Sequence, residues 1–147
     1  MTGSFTTGAG STLRLRNDGS VGSSTQAFTN GFTNNGTIEL TSVGGGFAAT
    51  LNVTSGPLVN AATRATNVLA GAGGLRTLTA QLDNQGAMTL SAPLTINRAN
   101  STHANSGTID VTGGDLTVTN SGVGASFTNT GTLNIAATRT LTFAGGT

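Results

Sequence analysis

The chain has 147 residues, so one domain is expected. It carries 23 glycines, 29 threonines and 14 asparagines, with no Lys, Cys, Trp or Tyr, and only 7 % of its residues are charged. Six arginines against five acids leave a net charge of +1, scattered without a basic stripe or stacking aromatics, which argues against nucleic-acid binding; the lack of cysteine excludes disulfides and thiolate metal sites, and no apolar run is long enough to span a membrane.

Met1-Thr2-Gly3-Ser4 has neither the basic start nor the apolar run of a signal peptide, so any targeting segment is expected outside this sequence. Strand-like sequence begins at Phe5-Thr6-Thr7 and Leu13-Arg14-Leu15. Phe32-Thr33-Asn34 leads into Asn34-Asn35-Gly36-Thr37-Ile38-Glu39-Leu40, a turn signal followed by alternating apolar and polar residues. The Gly44-Gly45-Gly46 run lengthens the next connection, and Thr50-Leu51-Asn52-Val53-Thr54 is again a strand of period two. Residues 55–75 lack the Asn-x-Gly-Thr phrase and read as an irregular insertion. Its Ala-rich part, Ala61 to Ala70, is expected to form a short helix or a loop leaving the regular structure, where specific contacts concentrate.

The pattern resumes with Thr77-Leu78-Thr79-Ala80, Leu82-Asp83-Asn84 and Asn84-Gln85-Gly86-Ala87-Met88-Thr89-Leu90. Pro93-Leu94-Thr95-Ile96-Asn97, His103-Ala104-Asn105 and Asn105-Ser106-Gly107-Thr108-Ile109-Asp110-Val111 follow. The last set is Asp115-Leu116-Thr117-Val118-Thr119, Phe127-Thr128-Asn129, Asn129-Thr130-Gly131-Thr132-Leu133-Asn134-Ile135 and Thr140-Leu141-Thr142-Phe143. The glycines of the four Asn-x-Gly phrases lie 50, 21 and 24 residues apart. Repetition at that period, in short strands, predicts an all-β, right-handed parallel β-helix (β-solenoid). It has about six coils of roughly 24 residues with three short strands per coil, a single domain over 1–147. At ~4.8 Å per coil the stack rises roughly 29 Å.

Ile38, Met88, Ile109 and Leu133 are expected to form one inward column, and Leu51, Leu78, Leu94, Leu116 and Leu141 another. On the outside, Thr79, Thr95, Thr117 and Thr142 are expected to form a ladder on a flat face. Such ranks are one way a solenoid presents an ordered surface to ice, although threonine is also simply a good strand residue.

The phrases Phe127-Thr128-Asn129-Thr130-Gly131-Thr132-Leu133-Asn134-Ile135 and Gly107-Thr108-Ile109-Asp110-Val111-Thr112-Gly113-Gly114-Asp115-Leu116-Thr117-Val118 resemble the passenger domains of bacterial autotransporters and haemagglutinin-like exported adhesins. The resemblance covers about residues 28–147. It implies surface display, adhesion or matrix structure, and brings no catalytic residues with it.

An enzyme on such a scaffold needs clustered acids or an acid–base pair. The acids are Asp18, Glu39, Asp83, Asp110 and Asp115; Glu39, Thr89, Asp110 and Asn134 fall on equivalent outward positions, so Glu39 and Asp110 are not neighbours, and Asp110 and Asp115, close in sequence, belong to different strands around a turn. His103, the single histidine, takes the place of Phe32, Leu82 and Phe127 at the core edge and has no second His or Cys to build a metal site. Gly113-Gly114-Asp115-Leu116 is one fragment of a calcium repeat without companions, and no Lys follows the glycine runs as in a phosphate loop. No catalytic residue, cofactor or metal is expected. The sequence points instead to a non-enzymatic structural or adhesive solenoid, extracellular or on a bacterial cell surface. Its expected partners are itself, end to end, or a continuation in a longer chain, and a host or matrix glycan or protein. A polysaccharide-binding or polysaccharide-degrading β-helix and an ice-binding solenoid are the alternatives.

Overall fold

The computed structural model describes residues 1–146; position 147, the last of the expected domain span, lies outside the described residues. The described residues contain no helix. The strands are β1 (Thr6–Thr7), β2 (Thr12–Asn17), β3 (Ser24–Asn34), β4 (Thr37–Ser42), β5 (Ala49–Asn60), β6 (Ala65–Val68), β7 (Arg76–Asn84), β8 (Ala87–Leu90), β9 (Leu94–Asn97), β10 (Thr102–Asn105), β11 (Thr108–Val111), β12 (Leu116–Thr119), β13 (Ser126–Asn129), β14 (Thr132–Ile135) and β15 (Leu141–Ala144). The strand ladders are parallel, as in β4 on β2 and β11 on β8. Parallel neighbours require a long return between them, and here the return is the remainder of the coil. The chain is a β-solenoid of about six coils.

The first face is a six-stranded sheet in the order β14-β11-β8-β6-β4-β2. The second and third faces share one sheet, because β3, β5 and β7 each run through both without a break. Later coils separate the same two faces with a loop, giving β9 and β10, then β12 and β13. Local irregularities turn the continuous strands. Gly31 stands opposite Gly56 and Pro57 in the β3–β5 ladder, and Ala80 opposite Val53 to Gly56 in the β5–β7 ladder. Extra residues of this kind bend and twist a strand.

The stretch 55–75 does not leave the solenoid as expected. Residues up to Asn60 belong to β5, and β6 pairs with β4 on one side and β8 on the other. Only the corner at 69–75 protrudes. The missing signal was chemical: this coil writes Asn60-Ala61-Ala62 where the others write Asn-x-Gly, and the asparagine alone keeps the corner.

The first inward column runs Leu13, Ile38, Thr66, Met88, Ile109, Leu133, so the four expected residues are stacked, with Thr66 inserted between Ile38 and Met88. The expected second column is split in two. Leu51 and Leu78 continue into Ile96, Val118 and Phe143, whereas Leu94, Leu116 and Leu141 continue from Ala49 and Arg76. A slip of two residues keeps every side chain on its own face, so alternation alone cannot distinguish these registers. The central core residues, Leu51, Leu78, Ile96, Ile109 and Val118 among them, are at most 1 % exposed. Full burial of each such side chain is worth roughly 1.5–3 kcal/mol, and each is covered by coils on both sides.

The corner between the third and first faces is held by a buried asparagine ladder. Thr7 Oγ1 donates to Asn34 Oδ1 (2.7 Å), Asn34 Nδ2 to Asn60 Oδ1 (2.9 Å), Asn60 to Asn84 (2.8 Å), Asn84 to Asn105 (2.7 Å) and Asn105 to Asn129 (2.6 Å). The steps are 27, 26, 24, 21 and 24 residues, which are the lengths of successive coils. The glycine that follows is needed for close approach: a Cβ at Gly107 would collide with the carbonyl oxygen of Gly86, and one at Gly131 with that of Gly107. None of these turn glycines has a positive φ.

Candidate functional site

The second face presents the most regular surface. Thr25, Thr50, Thr77, Thr95, Thr117 and Thr142 are consecutive register partners. The expected ladder is therefore longer than the sequence suggested, and one member is corrected. Thr79 lies one position over, opposite Asn52, and donates to Asn97 Oδ1 at 2.7 Å; Thr77 takes its place in the rank. The error has the same origin as the split column, the two-residue ambiguity of a period-two pattern. Beside the rank run Ala27, Asn52 and Thr79, then Asn97, Thr119 and Ala144, a second row of mixed chemistry.

On the first face the outward row reads Arg14, Glu39, Asn67, Thr89, Asp110, Asn134. Asn67 and Thr89 separate the two acids. Arg14 pairs with Glu39 at 2.5 Å, and Asn134 Nδ2 donates to Asp110 Oδ1 at 2.7 Å. The other acids have separate partners: Asp18 pairs with Arg16 (2.9 Å), Asp83 accepts from Gln85 Nε2 (2.8 Å), and Asp115 accepts from the Thr140 amide (2.9 Å). The amides of Ser20 and Val21, the main cause, hold the Asp18 carboxyl below its ordinary value. Among the described residues no group of three His, Cys, Asp or Glu side chains could hold a metal.

His103 sits in the third-face core rank, beneath Phe127 and 1 % exposed. Its Nδ1 accepts the backbone N–H of Leu82 at 3.1 Å, and its Nε2, which then carries the proton, is buried without a partner. Burial, with help from the charge of Arg98, lowers its pKa from 6.5 to about 4. The Arg98 guanidinium is fixed nearby on the carbonyls of Val53 and Thr54.

The corners between the first and second faces are longest in the early coils, at 18–23, 43–48 and 69–75. Their tips expose Val21 (62 %), Val43 (43 %) and Leu75 (70 %). Behind them Arg76, 3 % exposed, occupies an inward column and donates to the carbonyls of Leu69 (3.0 Å), Gly73 (3.0 Å) and Gly74 (2.7 Å). Gly73 and Gly74 reach that geometry with φ of 97° and 81°, values that glycine tolerates without strain. Burial lowers the pKa of this guanidinium. Sequence reasoning missed Arg76, since an arginine at the head of a Thr-Leu-Thr strand reads as a surface residue.

Three hollows lie at the ends of the stack. One, about 250 Å³, is bounded by Asn120, Phe127, Phe143, Gly145 and Gly146. Two others, about 330 and 160 Å³, meet at Leu13 at the opposite end, against Phe5 and against Ser24 to Gln26 respectively. Phe127 and Phe143 pack with tilted rings, centroids 5.0 Å apart, and Phe143 and Ile135 remain 49 % and 46 % exposed. At the other end Phe5 packs on Phe28 (4.6 Å) and Phe32 (5.0 Å).

No family model, no curated protein and no solved structure matches this chain. Among the described residues no helix is long and apolar enough to cross a membrane.

Proposed function

We propose that this chain is a non-enzymatic structural or adhesive β-solenoid of the extracellular space or bacterial cell surface, which extends by end-to-end association. The observation that carries this reading is the distribution of unfinished surface. On the flanks the charged side chains Glu39 and Asp110 are paired with Arg14 and Asn134, and the exposed apolar side chains Val21, Val43, Leu75 and Val123 are confined to corners, whereas the two larger hollows, lined by core phenylalanines and Leu13, are at the two ends. Open strand edges pair with further strands unless they are blunted, and a heterologous contact of this type generates an open filament. The likeness of the Asn-x-Gly phrases to autotransporter passengers and exported adhesins agrees with surface display. The protruding apolar corners are the places for a glycan or protein partner to be recognised. Electron microscopy with sedimentation across a concentration series tests the reading. Rods several times longer than the roughly 29 Å stack of one chain are expected to lengthen with concentration. Uniform particles one chain long at every concentration would sink it.

The six-threonine rank favours a second reading, an ice-binding face. A flat parallel sheet repeats its hydroxyls every ~4.8 Å, and here without a gap over six coils. On this reading the protein shows thermal hysteresis that Thr95→Tyr or Thr117→Tyr abolishes while the fold persists. No hysteresis in the parent protein removes it.

A further inference from the structure

We infer that the partner at the Phe127–Phe143 end is a second copy of this chain, seated in the one register that continues the columns. In that register β14 lies on β2 of the second copy and β13 on its β1, while residues 141–143 of β15 lie on residues 24–26 of its β3, short of Ala27 and Thr29, whose carbonyl and N–H that copy's own Met1 already holds. The inference rests on the end-to-end reading and goes beyond it by fixing which residues meet.

The match is read rank by rank. On the third face the rank Phe32, Leu58, Leu82, His103, Phe127 begins at Phe5, which meets Phe32 edge to face at 5.0 Å. Continuation therefore sets Phe127 on Phe5 of the second copy, Thr128 on its Thr6 and Asn129 on its Thr7. On the first face Leu133 and Ile135 fall on Leu13 and Leu15 of the second copy, apolar on apolar in both columns. On the second face Thr142 falls on its Thr25, so the threonine rank passes unbroken from copy to copy. The exposed pair Phe143 and Ile135 and the half-buried Leu133 and Phe127 are the atoms this contact covers. The weakest match is Leu141 and Phe143 against Ser24 and Gln26 of the second copy. A rotation of the incoming copy by one face loses the phenylalanine contact and places β15 against β2, whose arginines carry the Arg14 and Arg16 ion pairs.

The chain has no cysteine of its own, so disulfide capture reads the register directly. Parallel neighbours stand ~4.8 Å apart, within the Cα span of a disulfide. Thr12, Thr25 and Thr142 are all exposed. A mixture of Thr25→Cys and Thr142→Cys chains, each checked for native circular dichroism, is expected to give a covalent dimer under mild oxidation. A mixture of Thr12→Cys and Thr142→Cys chains, the rotated register, is expected to give none. Rods that cross-link only through the rotated pair, or through neither, overturn the register and leave end-to-end assembly standing. Monomeric particles in both mixtures, without cross-links, overturn the inference and the reading beneath it together.

Discussion

Asn84→Ala is expected to lower the unfolding free energy by roughly 2–6 kcal/mol, more than any substitution on the flanks. Asn84 is fully buried. Its Oδ1 accepts from Asn60 Nδ2 at 2.8 Å, and its Nδ2 donates to Asn105 Oδ1 at 2.7 Å and to the Thr108 carbonyl at 3.1 Å. Alanine leaves groups on two other coils short of a partner in a site closed to water, and each orphaned group costs about 1–3 kcal/mol. The damage is not local in effect. Solenoid stability is a sum of nearest-neighbour interfaces, and this residue joins three coils. Asn134→Ala makes the matched control. It removes an asparagine of the same ladder length from an exposed row, where its one side-chain bond is to Asp110, and the expected change is within about 0.5 kcal/mol. Urea unfolding of the two variants separates them; equal destabilisation would mean that the buried ladder carries no special weight.

Acidification is expected to weaken the fold through His103. The folded pKa of about 4 lies below the ordinary 6.5 because the ring is buried and faces the charge of Arg98. Between those values the unfolded chain binds the proton and the folded one does not, so stability is highest above pH 6.5 and falls as pH drops towards 4. The shift corresponds to on the order of 3 kcal/mol. Geometry gives the cause a second leg. The Nδ1 lone pair accepts the Leu82 N–H, at the place where the β7–β10 ladder has register partners only from Asp83–Ala104 onward. A proton on Nδ1 sets two donors against each other between coils. Asp18 adds a further loss only as pH falls through its depressed carboxyl range, below that of an ordinary aspartate. Unfolding midpoints in urea at pH 7.5 and 4.5 are therefore expected to differ strongly for the parent protein and little for His103→Phe, which matches Phe127 in the same rank. Parallel behaviour of the two proteins would show that the imidazole is not the titrating group.

What the sequence made legible was periodic, and what it hid was register. Alternation of Leu, Ile and Val with Thr placed Ile38, Met88, Ile109 and Leu133 in one column and made His103 a core-edge residue. The structure has the column, and it places His103 inside the core, 1 % exposed, rather than at its edge. Alternation could not choose between Thr77 and Thr79 as the neighbour of Thr95, because both side chains point outward, and the choice was made by where β7 begins. That beginning is set by Arg76, whose guanidinium gathers three carbonyls of the preceding corner. The coil at 55–75 was hidden for a related reason. As a local pattern the Asn-x-Gly phrase signals only a turn, so its absence at Asn60-Ala61-Ala62 resembles loss of the coil. The asparagine was the structural part, through bonds to coils 26 and 24 residues away, and such long-range partners leave no mark in a local pattern. The third-face rank from Phe5 to Phe127, on which the proposed contact between copies rests, emerges only once the register of all the coils is assembled.

The stacking of coils through Asn34, Asn60, Asn84, Asn105 and Asn129 is open to a single direct measurement. In solution NMR, the side-chain amide protons of Asn60, Asn84 and Asn105 are expected to exchange slowly with water. They are also expected to show nuclear Overhauser contacts in sequence, Asn60 to Asn84 and Asn84 to Asn105. Side-chain amides that exchange at the rate of free asparagine, with no contact between residues a coil apart, would contradict the solenoid itself.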